Sequence, residues 1–166
     1  MKYKATKEFL PEDMRAYIDR CIGKYPEGQQ RSAVLDALRE AQHHNGGYLT
    51  EEWMDAVAHH LGLPPIDVYE VATFYSMLET KPVGRNKISI CTNISCMLNG
   101  SDEIVEHVEK KLGVKVGQTT EDDRIFLKCE EECLAACKGA PMMMVNHEYH
   151  ENLTLEKVDQ ILDGLE

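Results

Sequence analysis

The chain has 166 residues, of which 43% are hydrophobic, and its 18 basic and 29 acidic residues give a formal net charge of −11. The apolar fraction is sufficient for a hydrophobic core, in one domain or in two small ones. The acidic balance argues against binding to nucleic acid and against docking on an anionic lipid surface, since both require clustered Lys and Arg.

No apolar run approaches the ~20 residues that a membrane-spanning helix needs, so we expect no direct membrane insertion. The N-terminal segment MKYKATKEFLPEDMR lacks the apolar core of a secretory signal, and its acidic residues do not suit a transit peptide. These features predict a cytoplasmic location. In that reducing compartment, paired cysteines are more often metal ligands or redox centres than structural disulfides.

The N-terminal half of the chain has the pattern of short amphipathic helices. Apolar residues recur at helical spacing in residues 11–23, 32–44 and 51–61, the last of these following the capping residue Thr50. A fourth helix is predicted from residue 66 to about residue 78. Short helices joined by short links indicate a small helical bundle.

The segment TKPVGR at residues 80–85 interrupts the helical period and is predicted to be a linker. The pattern after it alternates between strands and helices. Strands are predicted at residues 87–92, 124–129 and 142–145, a turn or short hairpin at 146–152, and helices from Ser101 and after Thr154. The prediction is therefore an α+β fold, with a helical bundle in residues 1–80 and a thioredoxin-like domain in residues 86–166.

Four cysteines in the second half carry the main chemical signal. Cys91 and Cys96 are spaced C-x4-C, and Cys133 and Cys137 are spaced C-x3-C. Two close pairs of thiolates suit a [2Fe–2S] cluster, because each iron takes two bridging sulfides and two protein sulfurs. The spacing differs from that of zinc ribbons and from that of plant-type ferredoxins. We therefore predict one [2Fe–2S] cluster per chain, held by these four residues, and no catalytic side chain.

The predicted elements place each pair at a defined location. Cys91 ends the first strand of this half, and Cys96 lies just before its first helix, where free backbone N–H groups are available to an anionic cluster. Cys133 and Cys137 lie four residues apart. On a helical turn such residues point the same way, with about 5–6 Å between their β-carbons.

Other interpretations of the cysteines remain open at this point. The four thiols can be buried free cysteines or the ligands of a structural zinc ion. A thioredoxin-type dithiol is disfavoured because the chain contains no C-x-x-C. Cys129 is an alternative ligand, although we favour a strand residue with its thiol packed inward. Cys21 lies on the apolar face of the first helix and is expected in the core.

Several segments match one known family in the same order. They read IDVYEVATFYS, KPVGR, KLGVKVGQT and ECLAACKGAP, at residues 66–76, 81–85, 111–119 and 132–141. On these motifs, from about Pro11 to the C-terminus, the chain resembles the NuoE-type subunit of NADH:quinone oxidoreductase, respiratory complex I.

This resemblance implies a function. By residue-to-residue correspondence, Cys91, Cys96, Cys133 and Cys137 look like the family's cluster ligands, whereas Cys129 matches none. The family implies an oxidoreductase subunit that accepts single electrons from the FMN of a partner flavoprotein, which also binds NADH. It further implies a larger peripheral-arm complex, attached to the inner membrane through other subunits. One departure is Ala135, where the family usually has Gly, so we expect a slight difference in this loop.

Alternative functions follow from the same residues. The chain can be the equivalent diaphorase subunit of an NAD-linked hydrogenase or formate dehydrogenase. A third interpretation is a four-cysteine zinc module with no redox role. The helical segment at residues 68–75 is apolar and aromatic nearly all round, which suits either an internal core helix or a contact with the flavoprotein.

Overall fold

The computed structural model describes residues 3–130 and 133–166, and only the backbone of residues 129 and 130. The chain divides into two compact units, Met1–Pro82 and Val83–Glu166. The first consists of helices and the second combines helices with a sheet, so the predicted α+β class is confirmed. None of the helices in the described ranges is long and apolar enough to cross a membrane.

The helices of the first unit share one hydrophobic core. Within the described residues they are α1 (Glu12–Ile22), α2 (Val34–His44), α3 (Glu51–Leu61) and α4 (Pro65–Phe74). The predicted start of α3 is confirmed, because the Thr50 side chain accepts a hydrogen bond from the backbone N–H of Trp53 (3.5 Å). The start of α2 differs from the prediction, since Gln30–Ala33 form a 3-10 helix before it. The buried core includes Met14, Ile18, Cys21, Leu38, Val57, Leu61 and Val68.

The end of α4 differs from the prediction, since the helix stops at Phe74 and not near residue 78. Tyr75 is already extended (φ −87°, ψ 121°). The buried side-chain amide of Gln42 donates to the carbonyl of Met77 (3.1 Å) and accepts from the N–H of Glu79 (2.6 Å). These bonds to α2 hold the chain after Tyr75 in a non-helical path, although its sequence is compatible with a helix.

The second unit contains a mixed sheet with helices. Its described elements, in chain order, are β1 (Asn86–Cys91), α5 (Ile94–Leu98), α6 (Ser101–Leu112), β2 (Gln118–Thr119), β3 (Ile125–Glu130), β4 (Met143–Val145), β5 (Glu148–His150) and α7 (Leu155–Asp163). The strand order is β2-β3-β1-β4-β5, with β1 and β3 parallel and the other pairs antiparallel. The sequence pattern did not predict α5 or β2, which are short.

Strand β1 is central in the sheet and is buried on both faces. Ile88 and Ile90 pack into a core with residues of α6 and α7, as the alternation predicted. Ser89 and Cys91, on the opposite face, are buried as well. A period-2 pattern marks only one of these faces, so burial of the Cys91 face depends on the packing of the rest of the unit.

The second half of the predicted linker belongs to the sheet-containing unit. A Cβ atom at Gly84 would lie 2.7 Å from the carbonyl carbon of Ile125, so only glycine fits there without a shift of backbone. The N–H of Arg85 donates to the carbonyl of Asp123 (2.9 Å). This unit therefore starts before residue 86, the predicted first residue of the second domain. The autonomy of the two predicted domains, 1–80 and 86–166, stays a prediction.

Candidate metal centre

The first cysteine pair lies where β1 runs into α5. Cys91 is the last residue of β1, and its N–H donates to the carbonyl of Met142 (3.2 Å). The side chain of Asn93 caps α5 by accepting from the N–H of Ile94 (2.9 Å). Cys96 lies within α5, and not before the first helix as predicted. Cys91 and Cys96 are each only 1% exposed and pack against Met142.

The environment of Cys96 favours its protonated form in the metal-free chain. Burial, a hydrogen bond with the thiol of Cys91 and the nearby charge of Cys133 raise the pKa of Cys96 to about 11. A hydrogen bond from the backbone of Met142 acts in the opposite direction. A metal ligand must be a thiolate, so loading of a metal group here releases protons. The Met142 N–H is then placed to stabilise the negative sulfur.

The second pair is exposed and lies in an irregular loop. The sulfur atoms of Cys133 and Cys137 are 3.3 Å apart, and the N–H of Ala135 donates to the sulfur of Cys133 (3.3 Å). The predicted helical turn is wrong, because Ala135 has a left-handed backbone (φ +65°) and Ala136 has φ −114°. Cys137 starts a 3-10 helix that ends at Gly139. A left-handed bend therefore brings the two sulfurs together.

Ala135 takes the conformation that glycine adopts most easily. Alanine is expected to disfavour a positive φ and so to change the loop. The structure keeps the positive φ with alanine in place, so the strain is tolerated. A left-handed non-glycine residue costs about 1 kcal/mol.

The two pairs lie close to one another within the second unit. Leu134, Ala136 and Ala140, from the loop of the second pair, pack against the first pair and Met142. The influence of Cys133 on the pKa of Cys96 shows the same proximity. In residues 3–130 and 133–166 no three His, Cys, Asp or Glu side chains are grouped to hold one metal ion. This donor set of two thiol pairs fits a two-iron cluster better than a single zinc ion.

The remaining cysteines differ in what the structure says about them. Cys21 is buried in the helical core, as predicted. The backbone of Cys129 lies in β3 opposite Ile90, which confirms the strand. Its side chain lies outside the described atoms, so its predicted inward packing stays a prediction. The neighbouring acidic residues Glu131 and Glu132 also lie outside the described residues.

The cysteine spacing gave no signal for two contacts of this site. The Met142 backbone contacts both residues of the first pair, through its carbonyl to Cys91 and through its N–H to Cys96. The hydroxyl of Tyr149 donates to the carbonyl of Leu134 in the loop of the second pair (2.7 Å). Both arise from the sheet, which places β4 and β5 beside the cysteine loops.

Comparison with known proteins identifies the family. The sequence profile of the thioredoxin-like [2Fe-2S] ferredoxin family matches residues 18–166. The chain belongs to this family. The predicted thioredoxin-like fold is thereby confirmed.

Curated relatives agree with the motifs. The NuoE-type subunit of NADH-quinone oxidoreductase from Rickettsia conorii is 47% identical over 148 residues, which cover 89% of this chain and 88% of the relative. Its counterpart from Rickettsia bellii is 46% identical over 165 residues, or 99% and 98% of the two chains. The mitochondrial NADH dehydrogenase [ubiquinone] flavoprotein 2 of Dictyostelium discoideum is 40% identical, covering 95% of this chain and 63% of the relative. The chain thus belongs with the iron–sulfur subunits of NADH dehydrogenases, as the resemblance predicted.

A solved structure shares the fold. It is an NAD+-reducing [NiFe]-hydrogenase in the air-oxidized state, with a TM-score of 0.66 and 21% sequence identity. The match covers 78% of this chain and 22% of the hydrogenase chain. At this identity the similarity is one of fold, so it does not by itself favour the hydrogenase alternative.

Proposed function

We propose that this chain is the electron-transfer subunit of an NADH:quinone oxidoreductase and accepts single electrons from the FMN of a partner flavoprotein. The observation that carries the proposal is the pairing of Cys91 with Cys96 and of Cys133 with Cys137 around one apolar cluster. The [2Fe–2S] cluster that these thiolates would hold takes up and releases one electron at a time. The near full-length similarity to the NuoE-type subunits of NADH-quinone oxidoreductases supports the assignment.

The side chains and backbone around the thiols have distinct tasks in this proposal. The buried pair, Cys91 and Cys96, is shielded from water by its apolar neighbours. The N–H groups of Met142 and Ala135 each point at a ligand sulfur, one in each pair. Hydrogen bonds to ligand sulfurs stabilise added negative charge and so help to set the reduction potential.

An exposed apolar surface next to the site suits a protein partner. On α5, Ile94 is 67% exposed and Leu98 is 74% exposed, while Cys96 between them is buried. Exposed apolar side chains of this kind mark interaction surfaces. A partner seated on α5 lies beside the helix that carries a cluster ligand, which is where an electron donor must approach. We assign this surface to the flavoprotein.

The segment at residues 68–75 combines the features of both earlier interpretations. Val68 and Ala72 are buried in the helical core, which supports an internal role for that face of α4. Phe74 at the helix end is 79% exposed. We propose that this end of α4 is a second contact with the flavoprotein, since aromatic residues are enriched at interfaces.

The remaining chemistry is assigned to other subunits. NADH and FMN bind the flavoprotein, and the chain acts in the peripheral arm of a complex attached to the inner membrane. The relatives at 40–47% identity carry NADH dehydrogenase names, which favours this context over a hydrogenase or a formate dehydrogenase.

The ligand assignment is tested by cysteine substitution. The purified chain should contain about two iron and two acid-labile sulfide per molecule and should bleach with dithionite. We expect Cys91→Ser and Cys137→Ser to lose or destabilise the cluster signal in low-temperature EPR, because each removes a thiolate from one iron. Cys21→Ser, in the helical core, is the matched control and should keep the spectrum. Loss of the signal in Cys129→Ser together with its retention in Cys133→Ser would show that the ligand choice is wrong.

Electron delivery is tested by adding the partner. NADH alone should not bleach the iron-loaded chain, whereas NADH with a catalytic amount of the flavoprotein should bleach it. Leu98→Glu places a charge on the proposed contact and should slow this bleaching at least tenfold. Val116→Glu, at another exposed apolar position of the same unit, is the control and should react at the normal rate. Bleaching by NADH without the partner would contradict the proposed division of labour.

A further inference from the structure

Tyr149 is an exposed residue whose hydroxyl is committed to the cysteine loop. It lies in β5 and is 52% exposed. Its hydroxyl donates to the carbonyl oxygen of Leu134 at 2.7 Å. Leu134 lies directly after Cys133, so the ring of Tyr149 reaches from the β-hairpin to the loop of the second cysteine pair.

The hydrogen bond continues through one peptide group to a sulfur atom. The carbonyl of Leu134 and the N–H of Ala135 belong to the same peptide unit. That N–H donates to the sulfur of Cys133 at 3.3 Å. A hydrogen bond accepted at the carbonyl oxygen polarises the peptide, which makes its N–H a stronger donor. The hydroxyl of Tyr149 is therefore linked to the Cys133 sulfur by two successive hydrogen bonds.

The far end of the same loop is held by backbone contacts. The N–H of Asn152 donates to the carbonyl of Gly139 (2.6 Å), and the N–H of Leu153 donates to the carbonyl of Pro141 (3.0 Å). A Cβ atom at Gly139 would come within 2.5 Å of the Glu151 side chain, so the two segments are in close contact. Loss of the Tyr149 hydroxyl leaves all of these contacts in place. Its effect can therefore be measured in a loop that stays attached to the sheet.

The geometry points to Tyr149 as a positioning residue that tunes the Cys133 ligand through the Leu134–Ala135 peptide. This inference rests on the proposed function, in which Cys133 is a cluster ligand. Reduction adds negative charge to the cluster and its sulfurs, and donors to a ligand sulfur stabilise that charge. The Tyr149 hydroxyl therefore raises the reduction potential.

The test is a redox titration of the iron-loaded full chain with Tyr149→Phe, which keeps the ring and removes only the hydroxyl. We expect the equilibrium constant for reduction to fall two- to threefold, which is about 18–28 mV at 59 mV per tenfold for one electron. The reduced EPR signal should shift as well. Tyr25→Phe, at a partly exposed tyrosine of the helical unit, is the control and should leave both unchanged.

An unchanged potential in Tyr149→Phe overturns the inference. Faster cluster loss at an unchanged potential also overturns it, because it assigns Tyr149 a packing role only. If the variant does not hold the cluster, the iron-free chain gives the answer by NMR. The amide proton of Ala135 should move upfield in Tyr149→Phe, and an unmoved resonance overturns the inference. A wild-type chain that binds no cluster instead contradicts the proposed function, and the NMR result stands apart from it.

Discussion

Ala135 carries a methyl group at a backbone position where glycine is normally favoured. Its φ of +65° makes the bend that brings the sulfurs of Cys133 and Cys137 to 3.3 Å, and its N–H points at Cys133. The C-x3-C spacing predicts that these two thiols lie near one another. The spacing does not distinguish a helical turn from this bend, because both bring the two side chains together over the same number of residues.

Replacing Ala135 by Gly should stabilise the iron-free chain. Glycine adopts a positive φ without the clash of a Cβ atom, although it gains entropy in the unfolded state, so we expect a net increase of about 0.5–1 kcal/mol in the free energy of unfolding. Urea denaturation measures it. Ala136→Gly is the matched control, since its φ of −114° gives no such relief, and it should destabilise. A lower stability in Ala135→Gly would contradict the strain assigned to this residue.

At the scale of elements, a buried carboxylate joins α3, α4 and the N-terminal segment. Asp55 in α3 is 2% exposed and accepts hydrogen bonds from the hydroxyl of Tyr69 in α4 (2.7 Å) and from the N–H of Lys4 (2.5 Å). Burial, followed by the hydrogen bond to Asp55 and its charge, raises the pKa of Tyr69 to about 12. The contact therefore depends on a protonated tyrosine.

This pKa shift predicts a loss of stability at high pH. In the unfolded chain Tyr69 ionises near pH 10, whereas in the folded chain it stays protonated up to about pH 12. The unfolded state thus binds fewer protons in this interval, so the free energy of unfolding falls as the pH rises, by about 2 kcal/mol over the interval. Urea denaturation of the iron-free chain at pH 8 to 11 measures this (~2 kcal/mol over the full interval).

Tyr69→Phe separates this group from the other tyrosines and lysines. The variant should lose about 1–3 kcal/mol at neutral pH, because Asp55 keeps only one of its partners. Its stability should then fall less steeply above pH 10 than that of the wild type. Tyr25→Phe should leave the pH dependence unchanged. Equal slopes for wild type and Tyr69→Phe would contradict the role of the Tyr69–Asp55 contact.

Element boundaries show how far periodicity reaches. The apolar pattern predicts α1 and α3 closely, because capping residues and glycines mark their ends. It extends α4 too far, because the amide of Gln42, distant in sequence, holds the backbone at residues 77 and 79. Strand β2 and helix α5 were not predicted, since two and five residues are too few for a periodic signal.

At the scale of the whole molecule, each unit has a core of its own. The helical unit packs around residues such as Ile18 and Leu38, and the sheet-containing unit around residues such as Ile88 and Val108. All four candidate ligands lie in the second unit, so the proposed cluster needs no side chain from the first. This arrangement supports the predicted assignment of the cluster to the C-terminal domain.

The amino-acid sequence by itself determined the fold class, most of the helices and strands, the two cysteine pairs and the family. These properties depend on short-range spacing and on motifs, which are written directly in the chain. Only the tertiary structure decided that Met142 and Ala135 direct N–H groups at the sulfurs and that Tyr149 reaches the loop of the second pair. The physical reason is that these contacts join segments through the sheet order and a left-handed bend, and neither has a local sequence signal.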